Sequence, residues 1–366
     1  MSSKSFLQKL AISALFLILI SAGVFLIKKT NEIQIFPGQK SEKKNNEKEN
    51  IFDPGLLTWE MATSNAAWEA RDSYSAIVFK DKLWLMGGLD GNDSILAPNM
   101  VQYWRAPHFS DVWASENGKD WQLITQDAPW GKRRSIQLAV FKDKLWLIGG
   151  WGPAIGCAND IWSSTDGINW RMEASNAAWQ GREGHQLVVF KDKLWILGGV
   201  RYDLGITKND VWYSEDGINW IQATSNAAWE GRWDHEVVEF SGKLWLLGGM
   251  DLNNKIYNDV WNSEDGISWT QVSESAPWQT RQGFGSVAYK NYLWVIGRFN
   301  DAINGGANDI WYSADGINWQ KTKEDPIWLG REDITALVFQ DKIWFFGGMD
   351  ASWKWVNEVW NSNLAK

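Results

Sequence analysis

The sequence predicts an all-β wheel built from six four-stranded sheets. Three observations predict it: a repeat of about fifty residues, turn residues at hairpin spacing inside each repeat, and strands that are apolar on both faces. KLWLMGG at 82–88 returns as KLWLIGG (144–150), KLWILGG (193–199), KLWLLGG (243–249), YLWVIGR (292–298) and KIWFFGG (342–348), with starts 62, 49, 50, 49 and 50 residues apart. A period of this length marks solenoids and propellers, in which each unit buries its apolar faces against its neighbours.

The third unit shows the strands. GHQLVVF (184–190), the turn KD and KLWILGG are followed by a loop, NDVWYS (209–214), the turn EDG and NWIQAT (219–224). Asp216-Gly217 is the sharpest of these hairpin signals. In the second strand Leu194 and Ile196 alternate with Trp195 and Leu197, so both faces need cover. A radial ring of sheets supplies it, because every sheet lies between two others. The last unit stops at NEVWNSNLAK after its third strand, whereas LLTWEMAT (56–63) precedes the first unit and matches a fourth strand. The amino-terminal strand is therefore expected to complete the sixth blade and remove two open sheet edges.

The succession Arg-x-x-His, apolar strand, Trp-x-x-Gly-Gly, Asn-Asp-Val-Trp and a final Trp resembles the kelch repeat of the galactose-oxidase central-domain superfamily, over residues 56–366. The resemblance implies a six-bladed β-propeller with kelch-like blades. The turn Ser-x-Asp-Gly-x-x-Trp is similar to the Asp-box of sialidase-type propellers but one residue shorter. A copper radical site of the galactose-oxidase type finds no match, since Cys157 is the single cysteine and His108, His185 and His235 are the only histidines. No cluster has metal-ligand spacing, and no metal or other cofactor is expected.

The chain contains 29 tryptophans. Four recur in register in every unit, as Trp195, Trp212, Trp220 and Trp229 do in the third, and these read as wedges filling the space between sheets. Asp166, Asp216, Asp265 and Asp315 precede turn glycines and read as caps of backbone amides rather than calcium ligands. His185 and His235 stand at a repeat position, which favours a structural role. The recurrent Arg71, Arg133, Arg182, Arg232, Arg281 and Arg331 suggest ion pairs between blades.

Loops between strands two and three share one face with the connections between blades. Function in repeat folds usually sits where such loops vary over a constant frame. The five out-of-register tryptophans, Trp104, Trp151, Trp233, Trp353 and Trp355, all map to that face, as an aromatic site for a glycan or a protein would require. The long loop of unit one adds Asn92, Asp93, Tyr103, Arg105 and His108, enough to form a lid. The residue after each recurrent arginine varies as Asp72, Arg134, Glu183, Trp233, Gln282 and Glu332, which suits a ligand rim. Unit four places Asp234, Glu236 and Glu239 in or beside its first strand, and unit five has Arg298 where others have glycine. These charges read equally as an ion pair or as a polar ligand site.

Residues 10–27, LAISALFLILISAGVFLI, are long and apolar enough for a membrane-spanning helix, with Lys4 and Lys9 before and Lys28 and Lys29 after. Residues 1–29 are expected to anchor the protein, or to direct secretion if cleaved near Ser21-Ala22-Gly23. Residues 30–55 read as a polar tether and 56–366 as the propeller, exported to a periplasm or cell surface. Net charge is −8 overall. Residues 1–50 carry eight lysines against four acids, so −12 falls on the remainder, which argues against nucleic acid as a partner. The expected function is a non-catalytic binding module for a glycan or protein ligand. The alternative is a carbohydrate-active enzyme of the sialic-acid mutarotase or glycosidase type, drawing on Glu183, Asp234, Glu236 and Glu332.

Overall fold

The computed structural model describes residues 52–364 except 93, 94, 98, 99, 102 and 299–306, with the backbone alone at 95–97, 100, 101, 298, 307 and 364. The expected anchor, and the tether as far as residue 51, lie outside the described residues. Among the described residues no α-helix occurs, and no helix is long and apolar enough to cross a membrane.

Six four-stranded antiparallel sheets form the blades of a β-propeller. Blade three runs Gln186–Phe190, Lys193–Leu197, Val211–Ser214 and Trp220–Thr224, each strand paired with the next. The other blades repeat this order. Blade six takes its fourth strand from the amino terminus: Leu57–Thr63 pairs with Val359–Leu364, with Trp59 opposite Ser362 and Met61 opposite Trp360. The expected clasp is present.

Blades are joined by a repeated packing step. The second-strand indole donates to the first-strand carbonyl of its own blade, as Trp146 does to Phe141 O at 3.0 Å, and its ring lies over the Asp-Gly turn of the next blade. A Cβ on Gly217 would stand 2.5 Å from the Trp146 ring, so glycine is needed there for space as well as for its φ of 85°. Trp84 covers Gly167, Trp195 covers Gly266, Trp245 covers Gly316 and Trp344 covers Gly118 in the same way. Blade six offers Trp294 no such turn, because its fourth strand comes from the amino-terminal side, Leu57–Thr63. Phe52 takes the place, edge-on to Trp294 at 6.4 Å. Residues 52–55, within the expected tether, are thus docked on the propeller, and Asp53 caps a short turn by accepting from Gly55 N at 2.9 Å.

At five seams the tryptophan that follows a fourth strand packs edge-on against the fourth-strand tryptophan of the next blade, as Trp179 does with Trp220 at 6.2 Å. The buried clusters accordingly mix residues of adjoining blades. This is the wedge role expected of the in-register indoles.

The recurrent arginines pair differently from the expectation. Each guanidinium binds the acid before strand three of its own blade: Arg232 meets Asp259 at 2.6 and 2.9 Å, and Arg331 meets Glu358 where the others meet aspartate. The ion pair therefore lies within a blade. The arginine backbone makes the connection between blades, since Arg232 O accepts from Gly199 N of blade three at 2.8 Å. The strand-one approach comes from the previous blade, so main chain and side chain of one residue face different sheets.

Each Asp-Gly turn is satisfied internally, which leaves no need of calcium to hold it. Asp216 Oδ1 accepts from Ile218 N and Asn219 N at 2.8 and 2.7 Å. Partial burial opposes its ionisation, but these bonds outweigh it and hold the carboxyl down at about 2.

Gly217→Ala tests the packing step against Gly205→Ala as control. Gly205 also has a positive φ, of 63°, but a Cβ there would meet nothing within 4 Å. In urea denaturation the control should lose about 1–2 kcal/mol from backbone strain. Gly217→Ala should lose a further ~1–3 kcal/mol by displacing Trp146.

Candidate functional site

The face bearing the connections between strands two and three opens as a funnel with a volume of about 740 Å³. Its floor follows from the way each chain segment turns into strand one. After the arginine, one residue bridges back to the residue following the glycine doublet, as Arg134 pairs with Trp151, Glu183 with Val200 and Trp233 with Met250. The next residue is left-handed in all six units: Ser73, Ser135, Gly184, Asp234, Gly283 and Asp333 have φ between 49° and 60°. This ring is stitched by main-chain bonds, including Asp234 N to Gly184 O at 3.1 Å and Gly283 N to Asp234 O at 3.1 Å. Glycine adopts this conformation freely, and aspartate is among the few other residues that visit it.

Aromatic side chains form the wall. Trp104, Trp151, Trp233 and Trp353 line the funnel with Tyr103 and Tyr202. Trp104 is 62% exposed, while Trp233 is mostly buried and edge-on to Tyr202 at 5.6 Å. Trp151 is braced by His108, whose ring centre is 5.3 Å away, and by the Arg134 guanidinium, 4.7 Å from the indole.

The floor is acidic. Glu183, Asp234, Glu332 and Asp333 line the cavity, and Arg134 is the one basic residue among the described lining residues. Arg134 is already engaged, with Nε 2.8 Å from Glu183 Oε2. Burial opposes its charge, but Glu183 outweighs the cost and keeps Arg134 protonated. Burial and the charge of Asp333 push Asp234 well above the usual carboxylate range. Asp333 is raised by burial against the hydrogen bond it accepts from Ser73 Oγ at 2.6 Å. Asp72, behind the floor, is raised by burial and by Asp333.

No protein-family model matches the chain, and no curated protein matches it. A solved structure described as "Structure of YjhT" superposes with a TM-score of 0.64 at 16% identity, covering 81% of this chain and 96% of that one. That likeness is one of fold. It reports a shared β-propeller and carries no substrate with it.

Of the residues singled out in the sequence, Trp104, Trp151, Glu183, Trp233, Asp234, Glu332 and Trp353 meet at the funnel. Trp355 does not. It is 1% exposed and packs beneath the wall against Tyr103, because the tight turn at Asp350–Lys354 directs it inward. His108 is also buried, bonded through Nδ1 to Ala106 O at 2.8 Å, with burial lowering its pKa to about 4. It supports Trp151 from behind. Arg105 is exposed beside Trp104, outside the cavity lining. The Arg298 side chain and Asp93 lie outside the described residues. His185 and His235 are fully buried against Trp179 and Trp229, at the place held by Phe284 in blade five, which fits their structural reading. Among the described residues no group of three or more His, Cys, Asp or Glu is placed to hold a metal ion.

Sequence reasoning missed Asp333 and Tyr202. Aligning the six units one residue further would have exposed the column Ser, Ser, Gly, Asp, Gly, Asp, whose composition is that of a left-handed turn position.

Glu236 sits below the floor, in a narrow axial channel of about 70 Å³ shared with Gln137 and Gln186. Burial raises its pKa to about 8, against a hydrogen bond from Ser286 Oγ at 3.1 Å. The native state therefore holds a proton there that the unfolded chain releases near pH 4.5. Stability should fall as pH rises from that value through about 8. Glu236→Gln, which copies blades two and three, removes this loss. Its melting temperature should match the parent near pH 4 and exceed it at pH 9, by roughly 2–4 °C for each kcal/mol relieved.

Proposed function

We propose that this chain is a kelch-type propeller acting as a non-catalytic binding module, and that the funnel takes a saccharide. The observation that carries the reading is the convergence of Trp104, Trp151, Trp233 and Trp353 on one concave cavity above a polar floor. A sugar ring presents an apolar face to an indole and hydroxyls to carboxylates, and both line this one cavity. A concave site of about 740 Å³ suits a small oligosaccharide better than the flat patch of a protein partner. Glu183, tied up by Arg134, is a positioning group for the wall.

A second reading, an enzyme of the sialic-acid mutarotase or glycosidase type, draws support from the upward pKa shifts of Asp234 and Asp333, since general-acid catalysis draws on carboxyls shifted in that direction. Turnover of a bound sugar that is lost in Asp234→Asn while binding remains would favour it. The protein is further proposed to be exported and held by residues 1–29. The first described residue, Phe52, sits on the hairpin face opposite the funnel, beside Tyr289 and Tyr292.

A glycan array and a protein pull-down with the full chain test the binding reading against Trp151→Ala, Trp233→Ala and Trp353→Ala. Saccharide binding should weaken by about fivefold or more in each. Unchanged binding in all three would remove the aromatic site. Alkaline washing of cell membranes should leave the chain in the pellet if residues 1–29 persist as an anchor; recovery in the supernatant sinks that part.

A further inference from the structure

We propose that the saccharide carries a free, protonated amine, seated on the funnel floor between Asp234 and Asp333 with the Gln282 amide oxygen as a third acceptor. The inference rests on the saccharide reading and adds the charge class of the ligand.

Asp234, Gly283 and Asp333 hold the same left-handed place in blades four, five and six, linked by Gly283 N to Asp234 O at 3.1 Å and Ile334 N to Gly283 O at 3.4 Å. Asp333 leans over the glycine between them: a Cβ on Gly283 would stand 2.5 Å from Asp333 Oδ1. The missing side chain of blade five thus gives the blade-six carboxylate room, as Gly184 of blade three does for Asp234, whose Oδ1 would stand 2.8 Å from a Cβ there. Gln282 lines the same funnel, is 5% exposed, and has an Oε1 with no hydrogen-bond partner. Its Nε2 points to Glu332 Oε1 at 3.4 Å, which leaves the oxygen as the unsatisfied end. Among the described residues no donor bonds the Asp234 carboxylate, while Asp333 accepts from Ser73 Oγ.

These are acceptors in search of donors. An alkylammonium has three N–H donors, no acceptor and a positive charge, so it matches two carboxylates and an amide oxygen in number and in sign. A neutral hydroxyl would leave the crowded charge uncompensated. A sugar acid would bring an anion to a cavity whose described lining base, Arg134, already serves Glu183. The indole walls favour the same ligand, because their ring faces attract a cation beside them.

The test is calorimetric titration of the full chain with a β-1,4-linked glucosamine tetramer, its fully N-acetylated counterpart, and spermidine. The free-amine tetramer should bind at least about tenfold more tightly than the acetylated one. Asp234→Asn and Asp333→Asn should each lower affinity for the free-amine tetramer about tenfold and affinity for the acetylated tetramer by less, so that the preference for the amine falls. Asparagine suits both sites, being tolerant of left-handed backbone, so these variants keep the fold. Trp151→Ala should weaken both tetramers. Equal affinity for the two tetramers, with loss in Trp151→Ala, overturns the amine and leaves the saccharide reading standing. Binding of neither tetramer, or indifference of both to Trp151→Ala, overturns both readings. Spermidine binding as tightly as the amine tetramer makes the ligand an aliphatic polyamine and overturns the inference as well.

Discussion

An indole of one blade resting on a turn glycine of the next is the contact on which the rest of this molecule depends. It needs a bare Cα, a left-handed turn and a tryptophan anchored by its own N–H, and it supplies all three at five of the six seams. The sixth seam lies at the blade where Leu57–Thr63 pairs with Val359–Leu364. Phe52 and the strand Leu57–Thr63 restore there what the missing turn would have given, so the wheel closes without an open edge.

Closure has a consequence at the axis. Six copies of the same approach to strand one bring six left-handed residues into a ring only if the wheel is complete, and the chemistry of the funnel is the variation allowed at those positions. Two glycines, two serines and two aspartates satisfy one backbone demand and differ in everything a ligand would feel. The arginines stabilise the frame from beneath: each is spent on an acid in its own blade, and in five of them the carbonyl holds the neighbour. Among the described residues Arg134, one residue displaced from that series, is the arginine that lines the cavity.

Much of the architecture was legible in the letters. The two-faced strands recur six times and the Asp-Gly turns four, and recurrence makes a weak signal strong; the amino-terminal clasp was read from the one strand that the sixth unit lacks. The partners of the recurrent arginines were not legible, because the acid lies 27 to 40 residues away in the chain and either neighbouring sheet was topologically open to it. The site was half legible. Being out of register picked out Trp104, Trp151, Trp233 and Trp353, but the same criterion picked Trp355, which the turn at 350–354 buries.

Pattern in the chain thus set the number of blades, their strand order and the face on which variation gathers, since periodicity, turn propensity and apolar alternation act over a few residues at a time. Folding in three dimensions settled which of the varied side chains meet. Asp234 and Asp333 are 99 residues apart, and the curvature of the closed ring is what brings them to one floor, where each is raised by burial and Asp333 raises Asp234 further. Electrostatic coupling depends on distance through space, and no local rule in the sequence encodes that distance.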